Sequence, residues 1–488
     1  MSSDLTSPAR WAAPSLAAAL LFAVAGCATA PTPASGSISR PSTPPQPLPD
    51  GGQTADGGET PDGDLANGED ATVEDVFEGY TPPHMVGRDV KRAAVLLPFS
   101  HPSRRVQADA EGLLAAIELA LFEHAGDEFL ILPKDTAGSP ARAEAAAAQA
   151  LQEGADVVIG PLFAANAVAV ASLLNEYESG RSALEAGNID TRADEPVSDD
   201  PMAFLFAATP NVDATDEADD AVEPDLGPPP VLAFTIDRDA ALAGAFLASI
   251  APEEEVARVV AYAARRGVDS FAFLGPNTDY GRRMEAALQV EAARQGGFVL
   301  ASGLYDQGND APVDEAKLVA DAVSAEIRDR PGKVGILVPE RGVKLRAVAP
   351  LLPYYGVDTR RVLMMGTSAW NDSTLWREPT LIGGIFPAPA PSDISRFNSA
   401  FERIYGQSPN GLASLGYDAA AMTMVLAGRD ALNRDGVSDP DGFRGVNGIF
   451  RFRIDGSAER GLSVMEITEN QGAVLAEPGR ASFDPVGG

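Results

Sequence analysis

Cysteine is all but missing: the 488-residue chain has one, Cys27, so a disulfide within the chain is excluded and no thiolate cluster can hold a metal. Histidine numbers three, too few for a histidine-based metal centre or a Cys–His catalytic pair. Positive charge is short as well, with 37 Lys and Arg against 70 Asp and Glu, a formal charge of −33. A chain so acidic repels polyanions, which argues against nucleic acid and anionic headgroups as partners. The chain also lacks Gly-x-Ser-x-Gly, a phosphate loop of the Gly-x-x-x-x-Gly-Lys-Ser/Thr type, His-Glu-x-x-His and Ser-x-x-Lys. Pairs of acids occur throughout such a composition and single out nothing. The sequence therefore reads as a binding or regulatory protein and not an enzyme, with no cofactor and no metal.

What is present is organised around Lys91 to Ala171. Arg92-Ala-Ala-Val-Leu-Leu-Pro-Phe-Ser100, Phe129-Leu-Ile-Leu132 and Asp156-Val-Val-Ile-Gly-Pro-Leu-Phe163 are short apolar runs ending in loop residues. Between them lie segments of helical spacing. Leu113, Leu114, Ile117, Ala120 and Leu121 put one apolar stripe on a helix over 109–123. A second helix has Ser139 placed as N-cap, Pro140 in its first turn and Gly154 at its end. Apolar strands alternating with helices predict a parallel sheet covered on both faces, an α/β lobe.

In their order, Val95-Leu-Leu-Pro-Phe-Ser100, Lys134-Asp-Thr-Ala-Gly138 and Ile159-Gly-Pro-Leu-Phe163 resemble the first lobe of type I, leucine-binding-protein-like periplasmic binding proteins. The branch that looks most similar is the lipoprotein activators of penicillin-binding proteins. The resemblance spans roughly Val90 to Thr468. It implies an α/β fold of two lobes, each a mostly parallel sheet with helices on both faces, joined by three crossings. It also implies that the Asp279-Tyr280-Gly281 step enters a second-lobe helix beside the cleft.

Outside that span the chain changes character. Trp11 to Ala25 is an apolar run too short for a membrane helix of about 20 residues. It ends in Val24-Ala25-Gly26-Cys27, which resembles the bacterial lipobox. That resemblance implies a signal peptide over 1–26 and a lipid on Cys27. Ala28 stands where inner-membrane retention would require Asp, so the implied location is the outer membrane, on its periplasmic face. Residues 27–85 are rich in Pro, Gly and acids and read as a disordered tether. A second acidic interval, about 176–230, holds 15 acidic residues against two Arg and reads as a solvated loop insertion in the first lobe.

The expected boundaries are 86–250 for the first lobe, 251–388 for the second, 389–445 returning to the first, 446–470 returning to the second, and 471–488 as a tail. In the second lobe Pro252-Glu-Glu-Glu255 opens a helix that Gly267 stops, with strands at 271–274, 298–300, 334–338, 362–365 and 382–386. Gly448 to Ile454 and Leu462 to Ile467 read as a hairpin about Asp455-Gly456. Arg282, Arg283, Lys344 and Arg346 are expected as exposed cations.

Open α/β sheets place ligands at the carboxyl ends of their strands. The candidates there are Ser100, Gly160, Pro161, Leu162, Phe163, Asn166, Thr235, Tyr280, Trp370, Tyr417 and Asp418. In amino-acid-binding relatives, hydroxyls and a helix N-terminus after the Gly160 position hold an α-carboxylate. Here Pro161-Leu-Phe-Ala-Ala-Asn166 has no Ser or Thr, so free amino acids are expected to bind no tighter than about millimolar. The resemblance implies an activator that binds a peptidoglycan synthase, a penicillin-binding protein, with membrane contact through its lipid and room for a small molecule in the cleft. The alternative is the substrate-binding protein of an ABC importer for amino acids or related small molecules.

Overall fold

The computed structural model describes residues 81–124, 126, 128–185, 227–330, 333–470 and 472–483. Cys27, the tether up to residue 80 and most of the acidic interval, 186–226, lie outside the described residues.

The first lobe is a parallel sheet ordered β2-β1-β3-β4-β5. Its strands are β1 (Lys91–Leu97), β2 (Phe129–Asp135), β3 (Val157–Ile159), β4 (Val231–Ala233) and β5 (Phe246–Leu247). The central ones, β1 from Ala93 onward with β3 and β4, are buried at consecutive positions, which is why they read as continuous apolar runs instead of alternating ones. Helices α1 (Arg104–His124), α2 (Pro140–Gln152), α3 (Ala164–Glu185) and α4 (Arg238–Leu242) connect them. Ser139 precedes α2 in extended conformation, but its side chain makes no capping bond, so the entry rests on Pro140. Gly154 closes the helix at φ +73°, as expected. Helix α3 runs through Glu185, past Glu176 where the insertion was expected to begin.

The second sheet is ordered β15-β14-β10-β9-β8-β6-β7. Helix α5 (Pro252–Arg265) enters it, with Glu253, Glu254 and Glu255 in its first turn and Arg265 in its last, matching the helix dipole. There follow β6 (Ser270–Pro276), α6 (Asp279–Arg294), β7 (Phe298–Tyr305), α7 (Val313–Asp329), β8 (Val334–Leu337), α8 (Gly342–Val348), α9 (Leu351–Tyr354), β9 (Val362–Met365) and β10 (Ile385–Ala388). These five strands are parallel.

The chain then returns to the first lobe. Helix α10 (Pro391–Tyr405) and helix α11 (Ala413–Ala427) pack beside α1, and Gly416 allows close approach: a Cβ there would lie 3.0 Å from a Leu113 methyl. After α12 (Arg434–Val437), β11 (Phe443–Gly445), β12 (Gly448–Phe452) and β13 (Ala458–Arg460) form a small antiparallel sheet. Phe450, Phe452 and Ala458 are buried in the same core as β1, β3 and α1.

Three expectations are corrected by the strand pairing. The partner of β12 across the Asp455-Gly456 turn is β13, not 462–467. The latter is β14 (Ser463–Ile467), which pairs antiparallel with β10 in the second sheet, so the last crossing falls at Gly461–Leu462 and not near 446. The stretch read as a tail supplies β15 (Ala473–Glu477), antiparallel to β14. Among the described residues no helix is long and apolar enough to cross a membrane.

Candidate functional site at the crevice between the lobes

The first-lobe lip is built on the carboxyl ends of β1, β2, β3 and β4. Past β1, Ser100 donates both its backbone N–H (3.1 Å) and its hydroxyl to the Asp135 carboxylate at the end of β2. Burial would raise the Asp135 pKa, but these bonds and the Ala137 N–H outweigh it and hold the carboxyl below its usual range. Ser100 is thus occupied by Asp135. Gly138 lies where the His101 ring and Phe163 leave no room for a side chain, and the two rings stand 5.5 Å apart.

After β3 the Gly160–Pro161 peptide is cis, and Gly160 has φ +110°. A Cβ there would sit 2.3 Å from the Leu96 carbonyl oxygen, so the position admits only glycine. Pro161 accepts from the Phe234 N–H at 2.9 Å, tying this loop to β4. Leu162 and Phe163 are half-buried. The Phe163 carbonyl accepts the first helical bond of α3, from Ala167 at 3.0 Å. The N–H groups of the α3 first turn therefore have no partner within the helix and form the positive end of its dipole. Asn166, in that turn, is 1% exposed, and neither end of its amide has a hydrogen-bond partner among the described residues. Thr235 turns its hydroxyl inward to accept from the Asp237 N–H at 3.1 Å.

Across from it, α6 begins at a Thr278 cap whose hydroxyl accepts from the Gly281 N–H at 3.1 Å. Tyr280, in its first turn, is half-buried and hydrogen-bonded to Thr367; burial first and then Glu255 push its phenol pKa up. Glu255, buried, accepts from the Ser368 N–H at 2.8 Å, and burial raises its pKa. Glu340 accepts from the Tyr305 hydroxyl at 2.6 Å. Two contacts that join the lips both run through Glu253: Arg238, past β4, donates to it at 3.1 Å, and Arg283 makes the other. Arg283 of α6 donates to the Ile236 carbonyl just past β4 at 2.8 Å and holds Glu253 with two bonds of 3.0 Å.

Ser100, Gly160 to Phe163 and Thr235 thus share one lip, and Tyr280 stands on the other. Three candidates fall elsewhere. Trp370 follows β9 but is fully buried, donating its indole N–H to the Val338 carbonyl at 3.2 Å, so it belongs to the second-lobe core. Tyr417 meets Glu123 and His124 at the far end of α1, a whole helix away from Ser100. Asp418 is buried, and accepts from the Val446 and Asn447 N–H groups and the Asn447 amide, so it shapes the turn before β12. Arg283 and Lys344 are not free cations, since Arg283 is held as above and Lys344 reaches the Asn309 carbonyl. Sequence reasoning passed over His101, Asp135, Glu255 and Glu340. The signal for the first two was present, as each stands within a few residues of a strand end. Among the described residues no three His, Cys, Asp or Glu side chains are grouped to hold a metal.

A family model described as periplasmic binding protein matches residues 92–473. Three solved structures that share the fold are distant in sequence. One, assigned as a branched-chain amino acid ABC transporter from Rhodospirillum rubrum, is 19% identical, with a TM-score of 0.61 over 79% of this chain and 99% of its own. A branched chain amino acid ABC transporter periplasmic ligand-binding protein from Burkholderia xenovorans is 12% identical, with a TM-score of 0.55 over 81% and 94%. A solute binding protein of an ABC transporter from R. palustris, in complex with 4-hydroxybenzoate, is 13% identical, with a TM-score of 0.51 over 81% and 97%. No curated protein matches the chain. With two mostly parallel sheets joined by three crossings, and a family match over most of its length, this chain belongs to the periplasmic binding proteins.

Proposed function

We propose that the chain binds a small carboxylate-bearing solute between its lobes and serves as the substrate-binding component of an ABC importer. The observation that carries this reading is the start of α3, where backbone N–H groups with no partner within the helix follow the half-buried Leu162 and Phe163 at the end of β3. A helix N-terminus favours an anionic group, and the apolar pair suits the body attached to it. A zwitterion also needs a partner for its ammonium group. Glu340 is engaged by Tyr305 and Glu255 is buried, so solutes without that charge fit better. Calorimetry against branched-chain amino acids and benzoates tests the reading. One carboxylate should bind at about micromolar, and Leu162→Asp should weaken it at least about tenfold, because a charge would face the anion. If nothing in the panel binds tighter than about millimolar, the importer reading fails.

The second reading, an activator of a peptidoglycan synthase, is favoured by the absence of any hydroxyl in Pro161 to Asn166 and by Val24 to Cys27. Its test is a rise in the glycan-crosslinking rate of the cognate synthase on adding the soluble part from residue 81. Both readings carry the same proposal for location: a lipid on Cys27 holds the protein at the outer membrane, facing the periplasm. Cys27→Ala should then release it into the soluble periplasmic fraction, and recovery of that variant with the membranes at wild-type level would sink the proposal.

A further inference from the structure

A cavity lies away from the crevice. It holds about 590 Å³ at the far end of α1, lined by α1, α10, α11 and β11 and open to solvent on one side. Helix α1 has 21 residues, so about 30 Å of helix separates this cavity from the Ser100 lip. Its volume falls within the range of small-molecule sites, roughly 300–1,000 Å³.

The chemistry of its walls is sorted. Phe397, Ala421, Val425 and Phe443 supply apolar surface, and Tyr417 meets Phe397 edge-on at 5.4 Å to continue it. Three guanidinium groups come from three separate places: Arg396 on α10, Arg429 just past α11 and Arg444 on β11. The acids beside them are already engaged. Glu123 accepts from the Tyr417 hydroxyl, Asp393 is paired with Arg396, and Asp418 holds the Val446 and Asn447 N–H groups with Arg460 facing it. The cations are less so. Arg444 has one long bond of 3.4 Å to the Ala481 carbonyl, Arg396 is 80% exposed, and no hydrogen bond or ion pair of the Arg429 side chain is found among the described residues.

We propose that this cavity is a second ligand site, taking an amphipathic organic monocarboxylate whose ring or branched aliphatic body lies on Phe397, Val425 and Phe443 while its carboxylate meets Arg429 and Arg444. A guanidinium fork matches a carboxylate in bidentate fashion. The acids on the walls oppose a dianion, which selects a carboxylate over a phosphate. The Tyr417 hydroxyl, bonded to Glu123 and 2.8 Å from His124 Nε2, is the polar group on the aromatic wall and would face a ring substituent.

The proposal is independent of what the crevice binds. Its test is fluorine NMR titration of the full chain with 4-fluorobenzoate, and with 4-fluorobenzyl alcohol as the uncharged control. Wild type should show a binding step near millimolar, in keeping with so small a ligand. Arg429→Glu should weaken that step at least about tenfold, Ala421→Trp should remove it by filling the cavity, and the alcohol should bind at least about tenfold more weakly than the acid. Arg429 is exposed, so its variant remains informative if Ala421→Trp fails to fold. The affinity of a crevice ligand should stay the same in Arg429→Glu. No binding step in wild type, no step altered by Arg429→Glu, or equal affinity for acid and alcohol overturns the proposal.

Discussion

Gly160 is a residue on which the crevice depends without touching any solute. Its φ of +110° and the Leu96 carbonyl oxygen, 2.3 Å from where a Cβ would sit, leave an L side chain two separate penalties, one in backbone conformation and one in contact. A strained left-handed backbone alone costs about 1–3 kcal/mol. Gly160→Ala should therefore destabilise the protein by at least about 2 kcal/mol, read as a lower urea midpoint at unchanged slope, and should displace Leu162 and Phe163. A midpoint equal to wild type would show that the loop can relax. At this scale the sequence was readable where local chemistry decides: Gly154 and Gly267 stop helices at positive φ, and Pro140 and Pro252 open them. It was unreadable where the answer depended on which way a side chain turns. Trp370 and Asp418 stand in stretches that could have faced a cleft, and only tertiary packing shows that one is core and the other a clamp for backbone N–H groups.

Elements were legible in proportion to their length and periodicity. Strand β1 and helices α5 and α6 fall near their predicted positions because burial and capping are written into consecutive residues. The end of the chain was misread because strand pairing is not local information. Ser463 to Ile467 is an apolar strand next to a turn signal, and a hairpin was the nearest explanation; its partners are β10 and β15, while the hairpin uses the short Ala458-Glu-Arg460. β15 is only partly buried, yet its Glu477 is held by Arg258 at 2.8 Å and also by Arg265. Ending the chain after Asn470 would remove that anchor and leave β14 as an unprotected edge. Such a truncation should lower the melting temperature by several degrees, roughly 1–2 kcal/mol, and raise light scattering at the same concentration. Unchanged melting and scattering would mean that β15 contributes no cover.

For the whole molecule, the contact to follow is Arg283, which spans from the second lobe to the Ile236 carbonyl of the first while Glu253 holds it in place. Burial would raise the Glu253 pKa, but the bonds to Arg283 outweigh it and the carboxyl is held below its usual range. The sign follows from linkage. A carboxylate depressed in the folded state contributes stability that is complete above its unfolded pKa, about 4.3, and is lost as pH falls through the folded value. Glu253 and Arg283 are each a little over a quarter exposed, so solvent screens the pair and its worth is about 1 kcal/mol. The same titration acts on lobe spacing, because a protonated Glu253 no longer fixes the guanidinium that reaches Ile236. Glu253→Gln should therefore lower stability at pH 7 by about 1 kcal/mol and converge with wild type only once pH has fallen below the depressed folded pKa of Glu253, where the wild-type pair is itself lost. Arg283→Ala should make the solute-free protein more open, because a lip-to-lip contact that favours the near arrangement is gone and the more exposed Arg238–Glu253 pair is left there. Small-angle scattering checks this through the radius of gyration, which should rise for Arg283→Ala at pH 7 and rise for wild type as pH is taken down through the depressed folded pKa of Glu253. A radius that is the same for both proteins and indifferent to pH would show that the Arg283 contact does not set the lobe spacing.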